Sequence, residues 1–280
     1  MPSSNSDIYL NTAKVIAIAR DSYLSPTFSF SDAKNLPGVP APKYGQDITF
    51  GYGRRAPENK SVGTTIEQLK PKMLKLLGEF ASGDKSGMAE QLIKQFLVDQ
   101  CRMVTYFDNR SLNKAASNHA NIKDWCSLAM SIPNTTPIAQ GKKRIHQALS
   151  DANWDINNIN IPTDLGVPAF NIGSKAFGTK DFNNGLGLMI NGVQYVYAVA
   201  QNYHYDSKAN KYTLEVSFIF YDVFGLDDDD LHEYGASSDS MFSSTAAIGI
   251  TAWWQLQHQH GYAPLVTRII LDRTYEVQTK

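Results

Sequence analysis

The feature that most constrains the fold is a strand pattern that runs directly into a cluster of acids. From Tyr212 to Tyr221, apolar side chains occupy every second position, which is the period of a β-strand with one buried face. Asp222 continues this alternation and so falls at the end of the apolar face. An acid-rich stretch that ends at His232 follows at once. Ionisable groups are therefore concentrated beside a segment of core.

The elements around this strand predict the fold class. A Tyr- and Val-rich run over residues 193–205 precedes it, and the polar residues 206–211 connect the two runs as a turn would in an antiparallel hairpin. After the acids come a helix that begins at Ser243 or Ser244 and a strand over Leu265 to Val277. This order predicts an α+β fold in which a mainly antiparallel sheet packs on a helix.

The rest of the chain predicts three parts. Residues 63–155 contain successive apolar stripes at helical spacing and form the predicted helical module. In residues 1–62, one short helix from Ile8 to Ala19 precedes a proline-rich stretch, so we predict an N-terminal arm or linker there. Residues 156–280 form the predicted α+β activity domain.

Composition excludes several classes of protein. With 42% hydrophobic and 19% charged residues, the 280-residue chain is globular and not disordered. Its formal net charge of -1 argues against a general nucleic-acid binder. No run approaches the roughly 18 apolar residues of a membrane span, and residues 1–7 lack a signal-peptide pattern. We therefore expect synthesis in the cytoplasm, with another machine carrying the chain if it acts elsewhere.

Asp222 is the first candidate for chemistry. A carboxylate on the inward face of an aromatic strand is unfavourable unless it is hydrogen-bonded or paired, and functional carboxylates often occupy such places. The competing interpretation is structural: Asp222 would accept hydrogen bonds from the turn at Gly225, as in an Asx turn. The sequence leaves both interpretations open.

The run from Asp227 to Asp230 is the second candidate. Four adjacent like charges favour solvent, a cation or a basic partner. Mg²⁺ or Ca²⁺ would bind such oxygens, with Asp222, Asp227 and Asp230 as the predicted ligands. The alternative is a solvated acidic loop.

Histidine and arginine complete the candidate set. His232, ten positions after Asp222, suits a general acid or base near neutral pH, although a lone surface histidine is the simpler interpretation. Arg268 on the last strand would pair with Asp222 or hold a phosphate, and otherwise forms an ordinary salt bridge. His258 and His260 lie near a helix C-terminus, where the helix dipole alone favours histidine and metal binding is the other interpretation.

Several motifs resemble an uncharacterised bacterial family, domain of unknown function 3289. The most specific are D-x-F-G-L-D at Asp222 to Asp227 and W-x-L-Q-H at Trp254 to His258, and Leu112 to His119, Phe182 to Leu188 and Gly261 to Thr267 add to them. The resemblance spans roughly residues 65–277. That family is associated with toxin and type VI secretion contexts in enterobacteria. It implies an antibacterial effector whose partners are a carrier of the secretion machine and a cognate immunity protein.

The C-terminal part also resembles, more weakly, the activity domain of colicin M, a phosphodiesterase that cleaves lipid II. The similarity covers about residues 190–277 and implies a half-barrel sheet. On this pattern Asp222 matches the essential aspartate, Gly225 stands where a second aspartate is expected, and Asp227 would replace it. His232 lies near the expected histidine, but Glu233 follows it where an arginine is expected.

The leading hypothesis is a toxin that hydrolyses a phosphate ester in a lipid-linked envelope precursor, such as lipid II, in the periplasm of the target cell. Asp222 would activate water or hold Mg²⁺, Asp227 would assist, His232 would transfer protons and Arg268 would neutralise phosphate charge. One alternative is a non-enzymatic interaction or membrane-active module with Trp253 and Trp254 on an exposed surface. The other is a different peptidoglycan hydrolase, such as an amidase or a glycosidase.

Overall fold

The fold is built on one mixed β-sheet. A computed structural model describes residues 7–20, 64–98, 105–130, 144–159, 163–166, 184–190, 193–236, 243–262 and 264–279. Its strands are β1 (Ile8–Tyr9), β2 (Lys14–Arg20), β3 (Thr105–Asp108), β4 (Thr163–Leu165), β5 (Tyr195–Asp206), β6 (Lys211–Phe224) and β7 (Leu265–Gln278). Six strands follow the order β3-β7-β6-β5-β2-β4, and β1 pairs with β5. Only the β2–β4 and β3–β7 pairs of this described sheet are parallel.

Helices cover one face of this sheet. They are α1 (Ile66–Leu74), α2 (Leu76–Phe80), α3 (Ser86–Val98), α4 (Arg110–Asn118), α5 (Ala120–Met130), α6 (Ile145–Asp151), α7 (Leu186–Met189), α8 (Asp228–Tyr234) and α9 (Ser244–His260), with a 3₁₀ turn at Ile156–Asn158. The predicted α+β class is confirmed, and the half-barrel stays a prediction. No helix among these is both long and apolar enough to cross a membrane.

The predicted hairpin is formed by β5 and β6. The side chains of Tyr212, Leu214, Val216, Phe218 and Phe220 are all buried in the core under the helices, whereas Glu215 between them is exposed. Asp222 follows the same alternation and is 8% exposed. The period-two pattern thus predicted which side chains of β6 lie under the helices, including Asp222 near the end of the strand.

The boundaries of the last helix also agree with the sequence. Ser243 caps α9, and its hydroxyl accepts a hydrogen bond from the Ala246 amide. Gly261 ends the helix in the left-handed region, with φ of 77°, which glycine adopts without a steric penalty. Strand β7 begins at Leu265 as predicted.

The predicted helix from Ile8 to Ala19 is wrong. Residues 14–20 form β2, which pairs antiparallel with β5 and parallel with β4. Ile16 is buried under the helices, and Ile18 belongs to a second buried cluster on the opposite face. A strand buried on both faces has a continuous apolar run in place of alternation, so periodicity alone does not distinguish it from a buried helix.

The three predicted parts share one core. The larger cluster of buried residues contains Ile16, Phe96 and Phe218, one from each part. The Lys14 ammonium also ties β2 to the 3₁₀ turn, donating to the carbonyl oxygens of Ile156, Asn157 and Ile159 at 3.4, 3.3 and 2.7 Å. The described part of residues 1–62 is therefore part of the sheet and not an arm. The proline-rich stretch predicted as a linker lies outside the described residues.

Helix α9 packs closely on the first two helices. A Cβ atom at Gly249 would lie 2.6 Å from Cδ2 and 2.7 Å from Cγ of Leu76, a fully buried side chain that has little room to move. Farther along α9, Trp253 stacks on Phe224 at the end of β6, with ring centroids 4.2 Å apart. Trp253 and Trp254 are only 5% and 3% exposed. The predicted aromatic surface at these two tryptophans is therefore wrong, because both rings belong to the core.

We expect Gly249→Ala to lower the stability of the fold. Overpacking of this kind costs about 1–3 kcal/mol, which exceeds the roughly 1 kcal/mol that alanine returns through helix propensity. The matched control is Gly78→Ala in the exposed part of α2, where an added Cβ would meet nothing within 4 Å. Thermal unfolding should show a lower Tm for Gly249→Ala and an unchanged or higher Tm for Gly78→Ala. Equal stability of both variants would contradict the packing of α9.

A buried histidine joins α6 to the hairpin. Nδ1 of His146 lies 2.9 Å from the hydroxyl oxygen of Tyr212, and its ring centroid is 5.2 Å from that of Trp154. Burial lowers the pKa of His146 below its ordinary value of 6.5. The folded protein therefore favours the neutral imidazole.

This burial predicts acid sensitivity. The folded pKa of His146 is below its unfolded value, so its contribution to stability is complete above pH 6.5 and is lost as the pH falls through 6.5 toward the folded pKa. Urea unfolding at pH 7.5 and pH 5 should show a smaller pH-dependent loss for His146→Gln than for the wild type. His232→Gln, on the exposed part of α8, should keep the loss seen in the wild type. An unchanged loss in His146→Gln would contradict this assignment.

Candidate functional site

The segment after Asp222 is fixed to the C-terminal end of α9 by side chains. The amide of Gln257 pairs with both backbone groups of Leu226: its Oε1 accepts from the Leu226 N–H at 2.9 Å, and its Nε2 donates to the Leu226 carbonyl at 3.0 Å. Nε2 of His258 lies 2.7 Å from the same carbonyl oxygen. Gln257 is 8% exposed, so these bonds satisfy backbone groups that water does not reach freely.

Gly225 allows this close approach. A Cβ atom there would lie 2.9 Å from Cβ of Pro264 and 3.2 Å from Oε1 of Gln257. The Gly225 N–H donates to the carbonyl of Val223 at 3.0 Å. In the predicted Asx turn, the Asp222 carboxylate would have accepted this hydrogen bond instead. Glycine is therefore required at position 225, because a larger residue would collide with Pro264 and crowd Gln257.

The acidic run begins a helix and is not a loop. Asp227 is the N-cap of α8: its carboxylate accepts from the Asp230 N–H at 2.9 Å, and the Asp230 carboxylate accepts from the Asp227 N–H at 3.0 Å. This reciprocal arrangement is a capping box. The predicted solvated loop is wrong for these residues, because negative side chains stabilise the positive end of a helix and bind its unpaired N–H groups.

Asp228 points inward from the first turn of α8. It is 2% exposed, and its Oδ1 accepts a hydrogen bond from Nε1 of Trp254 at 3.1 Å. Trp254 in turn stacks on His258, with ring centroids 4.7 Å apart and planes inclined by 26°. A buried carboxylate, an indole and an imidazole are thus held together where α8 meets α9.

The electrostatics of this cluster favour a neutral imidazole. Burial lowers the pKa of His258 below its ordinary value, and this effect outweighs the Leu226 carbonyl, Asp228 and Asp227, which act in the opposite direction. Nε2 faces a carbonyl oxygen, so the ring proton lies on Nε2 and the lone pair on Nδ1. A neutral, half-buried imidazole near carboxylates is suited to proton transfer near neutral pH.

Asp222 and Arg268 lie on opposite faces of the sheet. Asp222 is paired with Thr267 across β6 and β7, and Arg268 is paired with Tyr221. Side chains of adjacent residues in a strand point to opposite faces. Thr267 lies with Asp222 under the helices and donates from Oγ1 to the carbonyl of Met189 at 3.0 Å.

The predicted pairing of Arg268 with Asp222 is therefore wrong. Nε and Nη2 of Arg268 donate to the two carboxylate oxygens of Asp108 at 2.8 and 2.7 Å. The guanidinium carbon also lies 4.7 Å from the centroid of the Tyr106 ring. This is the ordinary salt bridge of the alternative interpretation, strengthened by bidentate geometry and by stacking.

The remaining predicted groups do not converge into a metal site. His232 is exposed in the last turn of α8. Over the described ranges, no three side chains of histidine, cysteine, aspartate or glutamate come together as metal ligands would. The carboxylates of Asp227 and Asp230 face backbone amides. The donors therefore do not fit a preformed Mg²⁺ or Ca²⁺ site, and the metal stays a prediction.

Three further candidate residues lie on one face of α9, and the sequence did not predict that they would form one site. Trp254, Gln257 and His258 follow the spacing i, i+3 and i+4, which places them side by side on α9. They contact Leu226 and Asp228, which lie within or next to the D-x-F-G-L-D motif. The two most specific motifs of the chain are thus in direct contact.

Comparison with known proteins gives no relative. No protein-family model matches the chain, and neither the curated proteins nor the solved structures contain a match to it. The residues of this site and the resemblance of its motifs are therefore the basis for inferring a function.

We expect Gln257→Leu to destabilise the junction between Gly225 and α8. Leucine fills a similar volume but leaves the Leu226 N–H without its acceptor, while the Leu226 carbonyl keeps its contact with His258. An unsatisfied buried polar group costs about 1–3 kcal/mol. The control is Gln259→Leu on the same helix, because the buried Nε2 of Gln259 has no hydrogen-bond partner among the described residues. Urea unfolding should show a clear loss for Gln257→Leu and little loss for Gln259→Leu. Equal losses would contradict the specific role of Gln257.

Proposed function

We propose that this chain is an antibacterial effector that hydrolyses a phosphate ester of a lipid-linked envelope precursor, such as lipid II. The observation that carries the proposal is the direct contact between the segment after the buried Asp222 and the end of α9. The contacting residues belong to the motifs that resemble toxin-associated proteins. The site therefore supports a role in acid–base chemistry, and the resemblance of its motifs suggests the biological setting.

Hydrolysis of a phosphate ester requires a group that accepts a proton from water and a site that accommodates a negatively charged substrate. In this proposal the Asp222 carboxylate, which is 8% exposed, activates the attacking water. Asp227 contributes by holding the start of α8, since its carboxylate caps that helix. Arg268 is left out of the mechanism, because its guanidinium is bound to Asp108 on the other face of the sheet. His232 remains a candidate proton donor on the exposed part of α8.

The cellular setting is part of the same proposal. The effector is made in the cytoplasm, binds a carrier of a type VI secretion machine and acts in the periplasm of the target cell. A cognate immunity protein protects the producing cell. This setting is supported by the D-x-F-G-L-D and W-x-L-Q-H motifs and has no other support in the chain.

A different peptidoglycan hydrolase, an amidase or a glycosidase, is the second candidate. The proximity of Asp228 and His258 favours it, because a carboxylate and an imidazole also serve in hydrolysis of amides. The non-enzymatic module is weaker, since Trp253 and Trp254 are buried and form no binding surface. A panel of lipid II and intact peptidoglycan distinguishes the two hydrolases.

The main test is Asp222→Asn, which keeps the shape of the buried side chain and removes its charge. Purified lipid II is incubated with the protein in Mg²⁺, in Ca²⁺ and in chelator, and the products are separated by chromatography. The wild type should cleave lipid II, and Asp222→Asn should lose about 100-fold or more of the rate, as expected for a group that transfers a proton. Glu215→Gln is the control, since Glu215 is exposed on the other face of the same strand.

Expression in bacteria tests the setting. Wild-type protein should arrest growth when exported to the periplasm and not when kept in the cytoplasm, and Asp222→Asn should be harmless in both. Intact lipid II after incubation with wild-type protein under all three conditions would refute the proposed substrate. Growth arrest confined to cytoplasmic expression would refute the proposed site of action.

A further inference from the structure

We propose that His258 is the proton-transfer group of this site, with Asp228 and Trp254 as the residues that position it. This inference rests on the proposed hydrolase function. It adds a residue that lies on a different element from Asp222 and replaces His232 in the proton-transfer role. Its basis is the geometry around the imidazole where α8 meets α9.

The imidazole is fixed in two ways. Its Nε2 is 2.7 Å from the carbonyl oxygen of Leu226, which sets the tautomer. Its ring is stacked on Trp254 at 4.7 Å, which sets the plane. A ring held in one orientation and one tautomer loses little entropy when it meets a substrate.

The indole that supports the ring is itself fixed. Nε1 of Trp254 donates to Oδ1 of Asp228 at 3.1 Å, and both side chains are buried. His258 is half-buried, so its edge is closer to solvent than either supporting residue. A buried carboxylate thus fixes the indole on which the more accessible imidazole is stacked.

Asp228 and Asp227, both at the start of α8, act on His258 electrostatically. Each favours the protonated ring, and burial opposes them. The net effect is a pKa below 6.5, so the ring is neutral at pH 7 and able to accept a proton. His232, by contrast, is exposed in the last turn of α8 and has no comparable support among the described contacts.

The step balances as an ordinary hydrolysis. Asp222 removes a proton from water as the water oxygen forms a bond to phosphorus, and Nδ1 of His258 takes up that proton. The bond from phosphorus to the ester oxygen breaks. His258 then returns the proton to that leaving oxygen, so one water is consumed and a phosphate and an alcohol are formed.

The test compares His258→Gln with His232→Gln in lipid II cleavage and in growth arrest after periplasmic export. Glutamine at 258 can still donate to the Leu226 carbonyl, so this contact is preserved although the stacking on Trp254 is lost. Catalysis by the imidazole would be lost by about 100-fold or more. Thermal unfolding of His258→Gln checks that the fold is intact. Glu215→Gln, at an exposed position of β6, should retain wild-type activity, and any loss in His232→Gln should be much smaller than the loss in His258→Gln.

Asp228→Asn tests the electrostatic effect of Asp228 on His258, which a purely structural role of Asp228 would not produce. The amide oxygen still accepts from Trp254, but the negative charge that favours imidazolium is gone, so the pKa of His258 should fall further. The acidic limb of the pH–rate profile should therefore move to lower pH in Asp228→Asn. Nuclear magnetic resonance of the imidazole nitrogens should show the same shift in the titration of His258.

The outcomes separate this inference from the proposed function. If the wild type is active and His258→Gln retains activity within about threefold of it, the inference is overturned and the function stands. If the wild type arrests growth without cleaving lipid II, the proposed substrate falls, and loss of arrest in His258→Gln still supports the role of His258. If the wild type neither cleaves lipid II nor arrests growth, both are overturned.

Discussion

The pairing of the Gln257 amide with the backbone of Leu226 is the interaction on which the site depends. An antiparallel sheet leaves a strand end free to continue in many directions, and here one side chain determines the direction by binding both an N–H and a C=O group. Gly225 permits the approach, and the capping box of α8 begins immediately afterwards. The contact thus fixes where α8 begins, and with it the positions of Asp227, Asp228 and Asp230.

The alternation of side chains across β6 and β7 separates two groups of charges. Asp222 lies under the helices with Thr267, while Arg268 and Asp108 neutralise each other on the opposite face beside Tyr106. A single residue of register decides this separation. Arg268 therefore does not face Asp222, although the sequence suggested that the two would pair.

The sequence predicted the elements whose signals are local. The alternation along β6, the cap at Ser243 and the stop at Gly261 each depend on neighbouring residues, and each agrees with the structure. The failures have physical reasons as well. Strand β2 is buried on both faces and has no alternation, and the inward turn of Asp228 depends on Trp254, which is 26 residues away along the chain. His258 was judged by its helix dipole, although its partner is the carbonyl of a loop that only the tertiary fold brings near.

The position of β2 in the sheet affects how the protein folds during synthesis. Ile18 pairs with Tyr197, so during synthesis β2 leaves the ribosome about 180 residues before its antiparallel partner exists, and such long loops close slowly. Until β5 has been synthesised, the apolar side chains of β2 lack the antiparallel strand beside which they are buried in the folded protein. The sheet is therefore completed only after the hairpin has formed, and an apolar segment that stays exposed until then promotes aggregation.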